Sequence, residues 1–253
     1  MPEKSEYSPG SPCWIDVSSS DVEESLEFYS GLFGWEGQEQ GPESGGYVIC
    51  TLGGRTVAGI APIMDDDHPP RWSVYVCTSD IDATTTAVKE AGGTVVGGPL
   101  DVFEAGRMAV FHDSTGGEIT AWQPNQHHGS ELVNEPNAWS WSELLGRDLD
   151  AAAAFYEAVF AWGIRRGDDY SEWQFEGQSI GGFMAMPEIA PVEVPPMWLP
   201  YIEVDRLETT TQRAVELGGS VRMPPSEYPG GRYAVINDVH GAGLGLLKPT
   251  PPD

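Results

Sequence analysis

The chain has 253 residues, with 13 basic against 39 acidic side chains and a formal net charge of −26. Such a field repels nucleic acid and anionic membranes and reads as a solvated acidic surface, with a specific cationic substrate as the sharper alternative. No apolar run approaches the ~20 residues that span a bilayer, and the opening MPEKSEYSPGSP lacks the apolar stretch of a secretory signal.

In chain order, CWIDV (13–17) predicts a short alternating strand. Ser20-Asp21 then offers an N-cap, with Glu23 and Glu24 in the first turn where the helix dipole favours them. Val22, Leu26, Tyr29 and Phe33 share one helical face, and Gly34 is placed to end the helix. GYVICTLGG and TVAGIAPI predict strands joined by a Gly-Gly turn. WSVYVCT opens a second half-unit, followed by a helix from about Asp80 to Ala91 closed by Gly92-Gly93, then strands TVVGGPLDV, RMAVFHD and EITAWQP. Gln123–Asn137 is polar, lacks periodicity and reads as a linker.

The order is then restated: strand WSELL, a helix from about Asp148 to Phe160, strands EWQFEG and IGGFMAM, LPYIEV, the Glu208–Leu217 helix, SVRMP, RYAVIND and GLGLLKP. The restatement is literal. At an offset of 127, Trp14 matches Trp141, Asp16 matches Glu143, Asp21 matches Asp148, Phe28-Tyr29 matches Phe155-Tyr156, and Trp35 matches Trp162. Trp72 and Tyr75 match Trp198 and Tyr201 at 126, and Gly106-Arg107 and Asp113 match Gly231-Arg232 and Asp238 at 125. Slippage this small over half a chain marks a duplicated domain. The expected division is 11–122 for the first domain, 123–137 for the linker and 138–248 for the second.

The motif D-x-x-x-S/A-x-x-F-Y-x-x-x-F-G/A-W in each first helix, the A-G-G or L-G-G turn and the later G-R-x-A-V-x-x-D strand end resemble the vicinal-oxygen-chelate superfamily. That superfamily includes glyoxalase I, the bleomycin-resistance proteins and the extradiol dioxygenases. The resemblance runs from about Ser11 to Lys248, and is nearest in flavour to tandem-domain actinobacterial proteins labelled glyoxalase-like or hydroxylase, several of which sit with natural-product pathways. It implies an α+β fold of two tandem repeats, each of two βαβββ units forming a cupped mixed sheet with helices outside. Whether each cup forms within or between repeats stays open.

The family's metal ligands map poorly. The first-strand position is Trp14 in repeat one and Trp141 in repeat two, the position opening the second half-unit is Ser73 or Leu199, and the last-strand position is Thr120 or Gly245. Indole, Leu and Gly offer no donor, and Ser and Thr are poor ligands for Zn²⁺, Ni²⁺ or Fe²⁺. The fourth position, on a mid-repeat strand, has no secure counterpart in the sequence. No metal or other cofactor is therefore expected. Among the five histidines, His68, His127, His128 and His240 read as exposed loop residues, and His112 alone is kept as an acid/base candidate.

Strand alternation then lists what the cups hold instead. Cup one is expected to present Trp14, Asp16, Ser73, Tyr75, Cys77, Glu118, Thr120 and Trp122; cup two, Trp141, Glu143, Leu199, Tyr201, Glu203, Gly245 and Leu247. Aromatic walls beside a carboxylate suit a bulky aromatic or hydrophobic small molecule. A desolvated Asp16 or Glu143 suits proton transfer. The blander reading has the tryptophans plug the cups while the carboxylates pair with Arg107 or Arg232. Three functions remain open: a metal-independent tailoring enzyme, a sequestering protein of the bleomycin-resistance kind, and a metal enzyme with relocated ligands. Cys13, Cys50 and Cys77, without CxxC spacing, read as reduced thiols of a cytoplasmic protein. Fusion of two repeats lets a monomer suffice, with a homodimer the alternative.

Overall fold

The computed structural model describes residues 4–63, 68–187 and 190–250. Repeat one runs β1 (Pro12–Ser19), α1 (Val22–Phe33), β2 (Glu36–Glu39), β3 (Val48–Leu52), β4 (Arg55–Pro62), β5 (Arg71–Cys77), α2 (Ile81–Glu90), β6 (Thr94–Val102), β7 (Gly106–His112) and β8 (Glu118–Pro124). Repeat two runs β9 (Trp139–Gly146), α3 (Leu149–Phe160), β10 (Gly163–Arg165), β11 (Ser171–Phe175), β12 (Gln178–Ala185), β13 (Met197–Glu203), α4 (Leu207–Glu216), β14 (Ser220–Tyr228), β15 (Gly231–Asn237) and β16 (Gly243–Pro249). Two short strands, β2 and β10, escaped the sequence reading because EGQE and GIR carry no alternation.

The helix starts follow from their caps. Asp21 accepts from the Glu24 N–H at 3.0 Å, and Asp148 accepts from the Ala151 N–H at 3.0 Å, each meeting an orphan donor of the first turn. Gly34 ends α1 at φ 74°, whereas α3 makes the same left-handed exit through Ala161 at φ 57°.

Each repeat forms its own eight-stranded mixed sheet, β2-β3-β4-β1-β5-β8-β7-β6 and β10-β11-β12-β9-β13-β16-β15-β14. The cups therefore form within repeats. The half-units meet where β1 runs antiparallel to β5, pairing Trp14 with Tyr75 and Asp16 with Ser73. Repeat two copies this register, Trp141 with Tyr201 and Glu143 with Leu199. The pleat then sorts the side chains: Ile15, Val17, Val74 and Val76 point to the helix side and are fully buried, in a core continuous across both repeats. Trp14, Tyr75 and Trp122 gather on the opposite, concave side.

The repeats are bonded reciprocally. Tyr29 of α1 donates to Asp238 Oδ2 of repeat two (2.8 Å), and Tyr156 of α3 donates to Asp113 Oδ2 of repeat one (3.0 Å). The other oxygen of each aspartate accepts turn N–H groups, from Thr115 and Gly117 or from His240 and Ala242. The Phe-Tyr and G-R-x-A-V-x-x-D signatures thus meet across the repeat boundary. Residues 123–137 pack closely: Leu132 and Val133 enter the shared core, and Ser130 is fully buried. Among the described residues, no helix is long and apolar enough to cross a membrane, and all three cysteines are free and buried.

Candidate functional site in the first cup

β1 carries Trp14 and Asp16 on its concave face, β5 carries Tyr75, and β8 carries Trp122. Above them opens a cavity of about 890 Å³ whose wall includes Trp14, Asp16, Tyr47, Tyr75, Met108 and Trp122. Its volume falls within the roughly 300–1,000 Å³ usual for small-molecule sites. Asp16 is only 5% exposed at its floor. Two phenols converge on Asp16 Oδ2, Tyr75 at 2.6 Å and Tyr47 at 3.2 Å, and the Trp14 indole donates to Tyr47 Oη at 3.0 Å. Burial pushes the Asp16 carboxyl up, and the phenol bonds hold the rise to about 6, with the Glu118 charge adding to it. Burial and the Asp16 charge raise Tyr75 and Tyr47 themselves, which keeps both as donors.

Cup two contains the same four groups. Trp141 donates to Tyr170 Oη (2.8 Å), and Tyr201 donates to Glu143 Oε1 (3.2 Å). Burial lifts Glu143 to about 7 against the pull of hydrogen bonds from Tyr170 and Tyr201. In cup two, Leu199, Tyr201 and Val235 pack with the partly buried Trp141, Met223, Tyr233 and Leu247. The Tyr201 ring lies over Gly245 so closely that a Cβ there would collide with it.

The register also locates the fourth ligand position. Thr120 of β8 lies beside Tyr75, as Gly59 of β4 lies beside Asp16. The internal two-fold that exchanges β1 with β5 exchanges these two as well. The four positions are thus Trp14, Gly59, Ser73 and Thr120 in cup one, and Trp141, Gly182, Leu199 and Gly245 in cup two. Neither set fits a divalent metal ion, and among the described residues no group of three His, Cys, Asp or Glu side chains is arranged to hold one. The Tyr47 and Tyr170 hydroxyls occupy the space where a Cβ at Gly59 or Gly182 would stand. A phenol thus stands over the strand position that the resemblance assigns to the fourth ligand.

Not every expected residue reaches the cavity. Ser73 and Thr120 share the concave face but do not line it, and Cys77 is buried beneath Trp122 and Tyr7. Glu118 is held bidentately by Arg71 (3.1 and 2.7 Å). His112 is exposed at the end of β7, with Nε2 3.9 Å from Glu118, and is absent from the wall. Glu203 lies outside the cup-two cluster, on the backbone ladder to Ala138. Neither cup carboxylate pairs with the arginines proposed for it: Arg107 bonds Asp82 and Asp101, and Arg232 bonds Glu208.

Two groups came from outside the strand list. Tyr47 and Tyr170 precede β3 and β11, and their glycines follow twelve residues later in both repeats (47 to 59, 170 to 182). That shared spacing was the available signal. His127, expected to be an exposed loop residue, instead forms cavity wall, its ring edge-on to Trp14 with centroids 4.4 Å apart. Burial lowers it to about 4, which keeps the imidazole neutral. The Trp122 indole anchors the segment by donating to the His127 carbonyl (2.8 Å).

Comparison with known proteins agrees with this architecture. The family model for the Glyoxalase/Bleomycin resistance protein/Dioxygenase superfamily matches residues 13–120 and again 140–245. CFP32 of Mycobacterium tuberculosis, provisionally named a glyoxylase, is 38% identical over 99% of both chains. The anthracycline biosynthesis protein DauV of a Streptomyces species (strain C5) is 35% identical over 96% of this chain and 94% of its own. Among solved structures, the Mn(II)-bound glyoxalase from Novosphingobium aromaticivorans superposes with a TM-score of 0.67 at 12% identity, covering 94% of this chain and 82% of that one.

Proposed function

The chain belongs to the Glyoxalase/Bleomycin resistance protein/Dioxygenase superfamily, and from that premise we infer that cup one binds a bulky, flat aromatic small molecule and acts on it without a metal, as a tailoring enzyme of secondary metabolism. The observation that carries this reading is the carboxyl of Asp16, set between two phenols at the floor of an aromatic cavity of about 890 Å³. Both phenols engage Oδ2 of Asp16, the carboxyl at the cavity wall. A carboxyl titrating at about 6 both gives and accepts a proton near neutrality, which suits an isomerisation, cyclisation or hydration. The kinship with DauV, whose name places it in anthracycline biosynthesis, supports a polycyclic aromatic ligand. The chemistry is assigned to Asp16 rather than Glu143 because the cavity of about 890 Å³ opens over Asp16.

The test is binding of an anthracyclinone, followed by quenching of Trp14 and Trp122 fluorescence, alongside product analysis by mass spectrometry. Wild type binds and converts the ligand; Asp16→Asn still binds within about threefold and loses at least about 100-fold in turnover. Binding without conversion by wild type would replace the enzyme with a sequestering protein. The aromatic walls favour that second reading, because stacking alone retains a ligand.

A further inference from the structure

The turn between β6 and β7 holds a large apolar side chain where elementary stereochemistry disfavours one. Phe103 has φ 45°, in the left-handed region, and is 64% exposed at the cavity mouth. The left-handed conformation is unfavourable for an L-residue with a Cβ, and an exposed phenyl ring recovers little of that cost by burial. Asn or Gly would serve a turn alone better. The corresponding turn of repeat two runs Tyr228-Pro229-Gly230-Gly231, where the counterpart ring of Tyr228 is less exposed, at 38%, and lies edge-on to Tyr233.

The turn is nevertheless firmly placed. Ala105 N–H closes it onto Val102 O (2.9 Å), and the segment after β8 is laced to it: Asn125 and His127 N–H groups bond Ala105 O (2.9 and 3.1 Å), and Gln126 N–H bonds Glu104 O (3.1 Å). That segment also brings His127 against Trp14 and Trp122. The strained turn and the inner aromatic wall are therefore hydrogen-bonded into one assembly that carries both Phe103 and the segment packed on Trp122.

We propose that Phe103 is a specificity-determining residue of cup one: it stacks on the outer ring of a fused polycyclic aromatic ligand whose inner ring rests on Trp14 and Trp122, so that the site selects by ring count. This rests on the reading of cup one as an aromatic-ligand site. On this proposal a single-ring ligand at the floor makes no use of Phe103, whereas a ligand of three or four fused rings does. Strain held at the mouth is then offset only in the complex.

The experiment titrates wild type, Phe103→Asn and Phe103→Gly with resorcinol (one ring), 1,8-dihydroxyanthraquinone (three) and a tetracyclic anthracyclinone, by calorimetry and ligand-observed NMR, with thermal melts of each free protein. Both variants are expected to bind the polycyclic probes at least about tenfold more weakly and resorcinol within about twofold. Phe103→Asn is expected to melt about 2–4 °C higher than wild type, because it relieves the backbone. Wild type binding the polycyclic probes and both variants binding them equally well would overturn the role of Phe103 while leaving the cavity a ligand site. Wild type binding none of the probes would overturn the aromatic-ligand reading and this inference with it.

Discussion

Asp16 and Glu143 show how one substitution in a duplicated frame is tuned by its surroundings. Each sits behind a tryptophan two residues earlier on the same strand face, and each takes a hydrogen bond from a β5- or β13-borne tyrosine. Both are raised, Asp16 to about 6 and Glu143 to about 7, with burial the dominant cause. A carboxyl whose folded pKa exceeds its unfolded one contributes stability fully present below the unfolded pKa and lost as pH rises through the folded one. The Glu143 contribution is thus present at pH 4 and gone by about pH 8. Glu143→Gln, which never ionises, should gain on wild type across that window, by on the order of 3 kcal/mol at pH 8 and little at pH 4. Urea denaturation at the two pH values checks this, and equal gaps at both would refute it. For Asp16 the phenol bonds favour the charged form, so Tyr75→Phe should move its midpoint above 6. Carboxyl-carbon NMR reads that midpoint directly; a shift downward would mean that Tyr75 acts otherwise.

Among the elements, the parallel pairs β1–β4 and β9–β12 explain why two glycines stand in strand interiors. Gly59 lies opposite Asp16 and Gly182 opposite Glu143, and in each the missing Cβ makes room for a tyrosine hydroxyl. Gly59→Ala should therefore displace Tyr47 from both Trp14 and Asp16 and cost about 2–3 kcal/mol. Adding Tyr47→Phe removes the clashing oxygen and should recover part of the loss. A double-mutant thermal series with purely additive effects would show that the two residues do not meet. The same logic applies in cup two, where Gly245 admits the Tyr201 ring at the position that Thr120 holds in cup one.

The whole molecule is held by the exchange of Tyr29 and Tyr156 between repeats, within a core that runs through both. Tyr156 Oη also accepts from the Trp198 indole (2.8 Å), so Tyr156→Phe orphans a carboxylate oxygen and an indole N–H together. It should cost about 2–3 kcal/mol. Because the core is shared, the chain should unfold in one transition, with fluorescence and far-ultraviolet dichroism coincident in urea, and Tyr156→Phe should shift that single midpoint without splitting it. Two resolved transitions would mean that the repeats fold independently.

Duplication, the order of the helices and longer strands, cap residues and the inward parity of Trp14, Asp16, Tyr75 and Trp122 were legible in the chain itself, because they depend on local periodicity and on a repeat that states each feature twice. The loss of donors at Trp14, Ser73 and Thr120 was equally legible, since a side chain's chemistry does not depend on its neighbours. Tyr47 escaped because it precedes its strand and reaches the floor only across Gly59; its position depends on a parallel pairing between distant segments. His127 escaped because a polar, aperiodic segment carries no mark of the wall it packs into. Above all, only the tertiary structure distinguished the two cups. Their key residues are nearly the same, and what differs is what surrounds them: Met108, Trp122 and His127 wall a cavity in the first, whereas Leu199, Tyr201 and Val235 pack with Met223 and Tyr233 in the second, through contacts between strands far apart in the chain.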